Sequence, residues 1–237
     1  MHAVDHAIFV LRKPEGKVIV AASTDDLLMI SEHLKRLEVV KRGLKKYFKM
    51  TDLGEARWLL GVEIQCDCAK RTLSLSQSMY VQTILGQFSL EKANTVTSPM
   101  DLGVHLTKSQ SPTAENEKDD MANVPYHELI SSLMYTAVAT HPDITHTITA
   151  LSQFLENPGC VHWQAAQRVL KYLKGMVDFG LMYGLADGVG MPVGKPMGYT
   201  NADFTLQEHR HSVSGYAFLM HGGAISWLSK TQAVCYV

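Results

Sequence analysis

Apolar residues near the start of the chain come in short runs, which predict β-strands. Residues 6–11 form one run, and Val18–Ile30 contains two more, separated by four short polar residues. Two such runs around a short polar segment predict a β-hairpin. The tip of this hairpin carries two adjacent carboxylates, Asp25 and Asp26. Aspartate is common in solvated turns, and paired carboxylates also suit magnesium, so the pattern leaves both functions open.

Further along, the spacing of apolar residues changes between helical and extended periods. Residues 32–49 and 78–88 repeat apolar side chains at three- and four-residue steps, which predicts helices. Residues 52–77 predict a second hairpin with a polar turn. The first helix has a basic face that includes Lys41, Arg42, Lys45 and Lys46. Such a face either attracts a phosphate backbone or is the solvated side of an ordinary amphipathic helix.

The second half of the chain predicts helices followed by strands. Residues 97–125 contain Ser-Pro pairs and an acidic run, which predict a mobile linker. Residues 126–155 predict two packed helices, because the proline in His141-Pro-Asp ends the first helix and opens the second. Residues 161–174 predict a third, amphipathic helix. Two further strands are expected within residues 213–227.

Composition narrows the class of protein. The chain has 237 residues, of which 46% are hydrophobic and 19% charged, so it is long enough for one large domain or two small ones. A net charge of -1 excludes a uniformly basic nucleic-acid coat, so nucleic-acid binding would depend on local patches. No apolar run approaches the length of a membrane span, and no secretion signal is evident. We expect an intracellular protein, cytoplasmic or nuclear and not secreted.

The four cysteines do not show the spacing of a disulfide framework. Cys66 and Cys68 lie in a predicted polar turn. A zinc site needs ligands at knuckle or helical spacing, which this pair alone does not provide. We therefore expect two incidental thiols rather than half of a zinc site.

A dozen short sequence boxes occur in one order along almost the whole chain. Those that bear on chemistry are Ser23-Thr-Asp-Asp-Leu, Trp58-Leu-Leu-Gly-Val-Glu-Ile and Gly198-Tyr-Thr-Asn-Ala-Asp. Others include Phe48-Lys-Met-Thr-Asp-Leu-Gly-Glu, Leu75-Ser-Gln, Ser132-Leu-Met-Tyr and His141-Pro-Asp-Ile. Together they resemble the polyprotein of copia-type LTR retrotransposons, from the end of its reverse transcriptase to the start of its ribonuclease H.

This resemblance implies an α+β fold. The family arrangement would place a partial palm and thumb of reverse transcriptase in residues 1–96 and a linker in residues 97–125. A helical connection region would occupy residues 126–190. A truncated ribonuclease H-like β-sheet would then occupy residues 191–237.

The resemblance also implies functional residues and ligands. Asp25 and Asp26 match the carboxylate pair of the polymerase palm, which binds Mg²⁺ or Mn²⁺, and Ser23 stands where the family usually has tyrosine. The family element that grips the primer strand matches Trp58, Leu59, Leu60 and Gly61. The implied partner is an RNA or DNA template–primer, and no membrane partner is implied. The basic residues Lys41, Arg42, Lys45 and Lys46 are the further candidates for nucleic-acid binding.

Several family features are absent or altered. The first catalytic aspartate of the ribonuclease H box is replaced by Asn201, while Asp203 matches the second acidic position. The family's remaining polymerase ligands come from segments that precede the matched part. We therefore expect a truncated fragment that is inactive alone in both polymerisation and RNA cleavage.

Three other expectations accompany this one. The chain is alternatively a non-catalytic nucleic-acid-binding or interaction module, or a split piece of a longer active polyprotein. Truncation would leave sheet edges uncovered, so self-association through those edges is also expected.

Overall fold

A computed structural model of the chain describes residues 6–14, 16–101, 103–184, 194–203 and 212–232. The chain divides into two compact units, Met1–Ala56 and Arg57–Val237. The second predicted hairpin and the helix after it are part of the later unit. Each unit is described separately below.

The first unit contains an antiparallel sheet of three strands and one helix. The strands are β1 (Ile8–Lys13), β2 (Gly16–Ser23) and β3 (Asp26–Ser31), in the order β1-β2-β3. The helix α1 (Leu34–Lys45) packs beside β3. Val18 on the central strand is fully buried. The β-branched residues of β2 favour this extended conformation.

The second unit begins with a sheet that joins distant parts of the chain. Its strands are β4 (Trp58–Leu59), β5 (Val62–Asp67), β6 (Thr72–Ser76) and β7 (Leu181–Tyr183), in that order. Helix α2 (Ser78–Gln87) follows β6, as predicted. The pairing of β7 with β6 was not predicted, since three residues carry too little pattern to indicate a strand.

The segment predicted as a mobile linker contains regular structure. A 3₁₀ turn spans Lys108–Gln110, and helix α3 spans Glu115–Ala122. The Glu117 carboxylate accepts hydrogen bonds from the backbone amides of Thr113 and Ala114, which satisfies donors at the helix start. Met121 is 9% exposed and anchors the end of the helix. The acidic run is therefore a capped helix rather than a structureless connection.

The core of the second unit lies among helices α2, α4 (Tyr126–Ala139), α5 (Thr145–Ser152) and α6 (Cys160–Gly175). A 3₁₀ turn at Pro142–Ile144 separates α4 from α5, which confirms the predicted break. The buried members of this core are Val81, Ile84, Leu85, Tyr126, Leu129, Ile130, Leu133, Ala137, Ile144, Ile148, Leu151, Ala166, Val169, Leu170 and Leu173.

A last antiparallel sheet packs against these helices. It contains β8 (Met197–Asp203), β9 (Val213–Met220) and β10 (Gly223–Thr231), with β9 in the centre. The Trp227 indole donates a hydrogen bond from Nε1 to the carbonyl of Ala137 on α4, at 2.8 Å. Within the described ranges, none of the helices combines the length and the apolar character needed to span a bilayer. Mixed helices and antiparallel sheets confirm the α+β class.

Candidate functional site

The two adjacent carboxylates lie at the tip of a tight hairpin, as predicted. Strands β2 and β3 pair up to Ser23 and Asp26, which leaves Thr24 and Asp25 as a two-residue turn. Thr24 has a φ of 31°, in the region where non-glycine residues are uncommon. Asp25 and Asp26 are both exposed. The apolar strands thus hold both carboxylates at a solvent-facing tip.

This pair fits part of the coordination shell of Mg²⁺. The ion prefers oxygen donors and is commonly held by one or two carboxylates together with substrate phosphates and water. Across the described ranges, no group of three or more His, Cys, Asp or Glu side chains is placed to hold a metal ion. Asp25 and Asp26 can therefore supply two ligands, and further ligands would have to come from phosphates, water or other residues.

The predicted primer-gripping element is also a tight hairpin. Trp58 pairs with Glu63 and Leu59 with Val62, so Leu60 and Gly61 form the turn. Both turn residues have positive φ, 49° and 74°, as the two-residue hairpin turn that matches strand twist requires. The side chains of Trp58 and Leu60 are 50% and 61% exposed. An exposed indole next to an apolar side chain is a surface on which bases can stack.

A tyrosine from α4 contacts this turn. The Tyr135 hydroxyl donates a hydrogen bond to the backbone carbonyl of Leu60. Tyr80 on α2 packs edge-on against Tyr135, with ring centroids 5.0 Å apart and planes at 81°. This edge-to-face arrangement is a preferred one for aromatic rings. Sequence reasoning missed both tyrosines as supports of the hairpin, although Tyr135 ends the Ser132-Leu-Met-Tyr box.

The basic candidates on α1 divide into two kinds. Lys41 Nζ lies 3.0 Å from Asp52 Oδ1 and 3.0 Å from Oδ2, so its charge is already paired. The hydrogen bond from Lys41, followed by that from the Gly54 amide, lowers the pKa of Asp52. Arg42, Lys45 and Lys46 are exposed, and Arg42 Nε donates to a backbone carbonyl of its own helix. These three cations remain directed to solvent, whereas Lys41 joins α1 to the segment after it.

Asn201 of the ribonuclease H box lies on β8, opposite Gly215 on the central strand. Ser229 on β10 also lies opposite Gly215, so one glycine separates two polar side chains. Cross-strand partners share a face of the sheet, which places Asn201 and Ser229 on the same face. Asp203 ends β8, and its side chain lies outside the described part of the chain.

A cavity of about 460 Å³ lies beside Asn201. It is lined on the helical side by Thr145 and His146, and on the sheet side by residues that include Trp227 and Ser229. His146 Nδ1 is 3.4 Å from Ser229 Oγ, and Thr145 Oγ1 is buried with no hydrogen-bond partner among the described residues. Asn201 therefore lies near hydroxyl and imidazole groups, and no carboxylate lines this cavity. An amide there lacks the charge with which a carboxylate binds a metal ion.

Two of the other sequence boxes meet inside the core rather than at a surface. The Thr140 hydroxyl donates to Gln77 Oε1 at 2.8 Å and lies 2.8 Å from His141 Nδ1. A hydroxyl has one proton, so His141 Nδ1 must be the donor in the second bond. Burial lowers the pKa of His141, and Asp143 opposes that shift. The Leu75-Ser-Gln and His141-Pro-Asp-Ile boxes thus contribute a buried polar network to the fold.

Comparison with known proteins identifies the class to which these hairpins belong. Residues 1–102 match the family described as reverse transcriptase (RNA-dependent DNA polymerase). The matched segment contains the Asp25–Asp26 tip and the Trp58–Gly61 hairpin. The chain is therefore derived from a reverse transcriptase.

More particularly, the chain belongs to the Pol polyproteins of copia-type retrotransposons. It is 39% identical over 230 residues to the retrovirus-related Pol polyprotein from transposon TNT 1-94 of Nicotiana tabacum, which covers 96% of this chain and 17% of that protein. It is 30% identical over 237 residues to the Pol polyprotein from transposon RE1 of Arabidopsis thaliana, covering 96% of this chain and 15% of that protein.

This chain covers most of the length of a third relative. A transposon Ty5-1 protein of Saccharomyces cerevisiae is 26% identical over 230 residues, covering 97% of this chain and 71% of that protein. No solved structure matches the chain. The chain thus spans less than a fifth of the two Pol polyproteins and most of the Ty5-1 protein.

Proposed function

We propose that this chain carries the metal-binding carboxylates and the primer-contacting hairpin of a retrotransposon reverse transcriptase, and that it does not polymerise DNA by itself. The observation that carries the proposal is the pair Asp25 and Asp26, exposed at a two-residue hairpin tip within the segment that matches the reverse transcriptase family. Mg²⁺ or Mn²⁺ held there would bind nucleotide phosphates and activate the primer hydroxyl.

The donor set also supports inactivity of the chain alone. Two-metal phosphoryl transfer needs ligands for both ions and a surface for the triphosphate. In the described ranges, the two aspartates have no third His, Cys, Asp or Glu ligand beside them. The pair is therefore half of such a centre, and the remaining groups would have to be supplied by another polypeptide segment.

A primer-extension assay with Mg²⁺ or Mn²⁺ tests this proposal. The purified chain is expected to give no template-dependent extension. Robust extension that Asp25→Asn abolishes would overturn the proposed inactivity. The metal-binding role is tested separately by Mn²⁺ relaxation enhancement of water protons. Enhancement should fall in Asp25→Asn and Asp26→Asn, but not in Asp67→Asn, because the Asp67 carboxylate is engaged by turn amides.

We also propose that the chain binds a template–primer duplex, for which the Trp58 hairpin of the second unit and the exposed cations of α1 in the first unit are two separate candidate contacts. Base stacking on an aromatic side chain is worth about 1–3 kcal/mol, so Trp58→Ala should weaken binding roughly 5- to 150-fold. Phe179 is 59% exposed and provides a matched aromatic control, because Phe179→Ala should leave affinity unchanged. Equal losses in both variants would contradict the assignment to the hairpin.

Salt dependence tests the electrostatic part. Replacing Lys45 and Lys46 together by glutamine should reduce the slope of log affinity against log salt by roughly 1.5–2. Lys41→Gln should change this slope less, because Asp52 already pairs with Lys41. A slope that is the same in the double variant as in the parent chain would remove α1 from the interface. Binding that survives without polymerase activity would favour the second candidate function, a non-catalytic nucleic-acid-binding module.

For the ribonuclease H box we propose a loss of catalysis. None of the residues that line the cavity beside Asn201 carries a carboxylate, and the described residues contain no group of three His, Cys, Asp or Glu side chains placed to hold a metal ion. RNA in an RNA–DNA hybrid should remain uncleaved by the chain. Cleavage that disappears in Asp203→Asn would contradict this proposal.

A split polyprotein is the remaining alternative for the polymerase. It is favoured by the alignment to less than a fifth of the TNT 1-94 polyprotein. If it is correct, adding the polypeptide encoded immediately upstream should produce primer extension that depends on Asp25. Absence of extension from the mixture, despite binding of the two polypeptides, would argue against it.

A further inference from the structure

The start of helix α6 is covered by the segment that precedes α3. The 3₁₀ turn at Lys108–Gln110 packs on α6, and a side chain at Gly159, the residue before the helix, would collide with the Gln110 carbonyl. The Asn157 amide group donates to the Pro112 carbonyl at 3.3 Å. Residues 105–112, which we call the docked segment, therefore close over the beginning of α6.

A buried histidine lies at this contact. His162 is fully buried, and its ring stacks on Phe154 with centroids 3.9 Å apart and planes at 17°. The Gly159 amide donates to His162 Nδ1 at 2.9 Å. A ring nitrogen that accepts a hydrogen bond carries no proton, so the neutral ring has its proton on Nε2. The Nε2 atom is buried and has no hydrogen bond of normal geometry among the described residues.

Protonation of His162 is incompatible with this arrangement. The second proton would go to Nδ1 and face the Gly159 N–H, so the hydrogen bond that closes the start of α6 would be lost. Stacking on Phe154 offsets only part of the cost of burying an unpaired charge. Burial is the larger cause that acts on the pKa of His162 and lowers it, whereas the nearby backbone of Thr107 raises it.

Ionisable side chains on the surrounding segments do not compensate for that charge. They are His105, Lys108, Glu156, Cys160 and the titratable residues of α3 and α5, and all of them are exposed. None of them is among the causes that shift the pKa of His162. A protonated His162 would therefore have no counter-ion among the described residues, and opening the contact to water would relieve the cost.

We propose that His162 is a pH-sensitive latch, which holds the docked segment on α6 when neutral and releases it when protonated. The docked segment follows residues 1–102, which match the reverse transcriptase family, and leads to helices α3–α6. Acid would thus loosen this connection locally. In the open state the pKa of His162 returns toward 6.5, so opening increases as pH falls through that value, by about tenfold between pH 7.5 and 5.5.

Hydrogen exchange of the full chain tests the latch, read by mass spectrometry at both pH values and corrected for intrinsic exchange rates. Protection of the docked segment and of residues 160–164 should fall several-fold more than that of α4, which lies in the buried core. His162→Asn keeps an oxygen acceptor near the Nδ1 position and does not titrate, so this extra fall should disappear. His127→Asn is the matched control, because His127 is exposed, and the extra fall should remain.

Three outcomes overturn the proposal. They are an equal fall in the docked segment and α4, no fall at all, and an extra fall that persists in His162→Asn. If His162→Asn does not fold, nuclear magnetic resonance of the parent chain decides the question. The ring of His162 and the amides of the docked segment should then titrate with one midpoint below pH 6.5. Titration of the ring without any change in those amides overturns the latch.

Discussion

At the scale of single residues, Tyr135 is the clearest support of the candidate nucleic-acid surface. Its hydroxyl donates to the Leu60 carbonyl in a turn with positive φ at both central residues. Tyr135→Phe should reduce the free energy of unfolding by only about 0.5–1.5 kcal/mol, the usual value of one hydrogen bond. It should also weaken template–primer binding, because the turn that presents Trp58 loses a restraint. Urea titration and fluorescence anisotropy measure the two effects.

The control for that variant is Tyr47→Phe. Tyr47 is 83% exposed, so loss of its hydroxyl should affect neither quantity. If Tyr135→Phe lowers stability but leaves affinity unchanged, Tyr135 holds the fold and does not position the hairpin. That result would leave the role of Trp58 to be judged from Trp58→Ala alone.

The buried side chain of His141 should make the free energy of unfolding depend on pH. Burial lowers its pKa below the ordinary value of 6.5, so below pH 6.5 the unfolded chain binds a proton that the folded chain resists. The free energy of unfolding should therefore fall as pH drops from 7.5 to 5.5. His141→Gln should flatten this decline, although it costs some stability at pH 7.5. Urea titrations at three pH values measure the slope.

A second buried histidine contributes to the same slope. His162 is buried, and burial lowers its pKa too, so part of the slope should persist in His141→Gln. An unchanged slope in His141→Gln would show that His141 is protonated equally well in the folded chain.

Local sequence patterns predicted the hairpin at Asp25 and Asp26 but not the ion pair between Lys41 and Asp52. The apolar pattern correctly predicted the hairpin that carries Asp25 and Asp26, because period and turn chemistry are local. It counted Lys41 among the cations available to phosphate, whereas Asp52 pairs with it across a change of chain direction. Such a contact depends on how α1 ends, which composition does not specify.

At the scale of elements, periodicity was informative wherever a helix was long. Helices α2 and α6 lie where apolar spacing predicted them, and α4 and α5 are separated at the predicted proline. Helix α3 was missed because its residues are mostly polar and only Met121 is buried. Strand β7 was missed because its partner strand lies about a hundred residues earlier, and no local signal encodes such a pairing.

The side chain of Tyr126 on α4 connects this helix to α5 through a buried hydrogen bond. It is 1% exposed, and its hydroxyl donates to the Leu151 carbonyl on α5 at 2.8 Å. Tyr126→Phe should lower the free energy of unfolding by roughly 1 kcal/mol, because the carbonyl keeps one backbone partner, the Phe154 amide. Thermal melting followed by circular dichroism measures the loss. Tyr199→Phe should not change the melting temperature, because Tyr199 is 55% exposed.

At the scale of the whole molecule, buried apolar residues are distributed unevenly. Every member of the buried helical core belongs to the second unit. Among the described residues of the first unit, Val18 alone is a buried hydrophobic residue. Its edge strands β1 and β3 instead leave apolar side chains exposed, including Phe9 at 46%, Leu11 at 42% and Ile30 at 53%.

An exposed apolar edge strand is a template for pairing with another chain. We therefore predict that the chain self-associates through β1 and β3, with a weight-average mass that rises with concentration. Leu11→Lys and Ile30→Lys place charges on these edges and should shift the chain toward monomer. Sedimentation equilibrium at several concentrations measures the shift.

The control variant distinguishes strand pairing at the sheet edges from association through exposed apolar surface in general. Leu53 is 85% exposed and lies outside any strand, so Leu53→Lys removes the same apolar group and adds the same charge away from the edges. Association that falls equally in Leu53→Lys would assign it to exposed apolar surface in general. A parent chain that stays monomeric at every concentration would contradict the prediction. In that case strand twist and the charged residues Arg12 and Lys13 at the end of β1 are sufficient to block pairing.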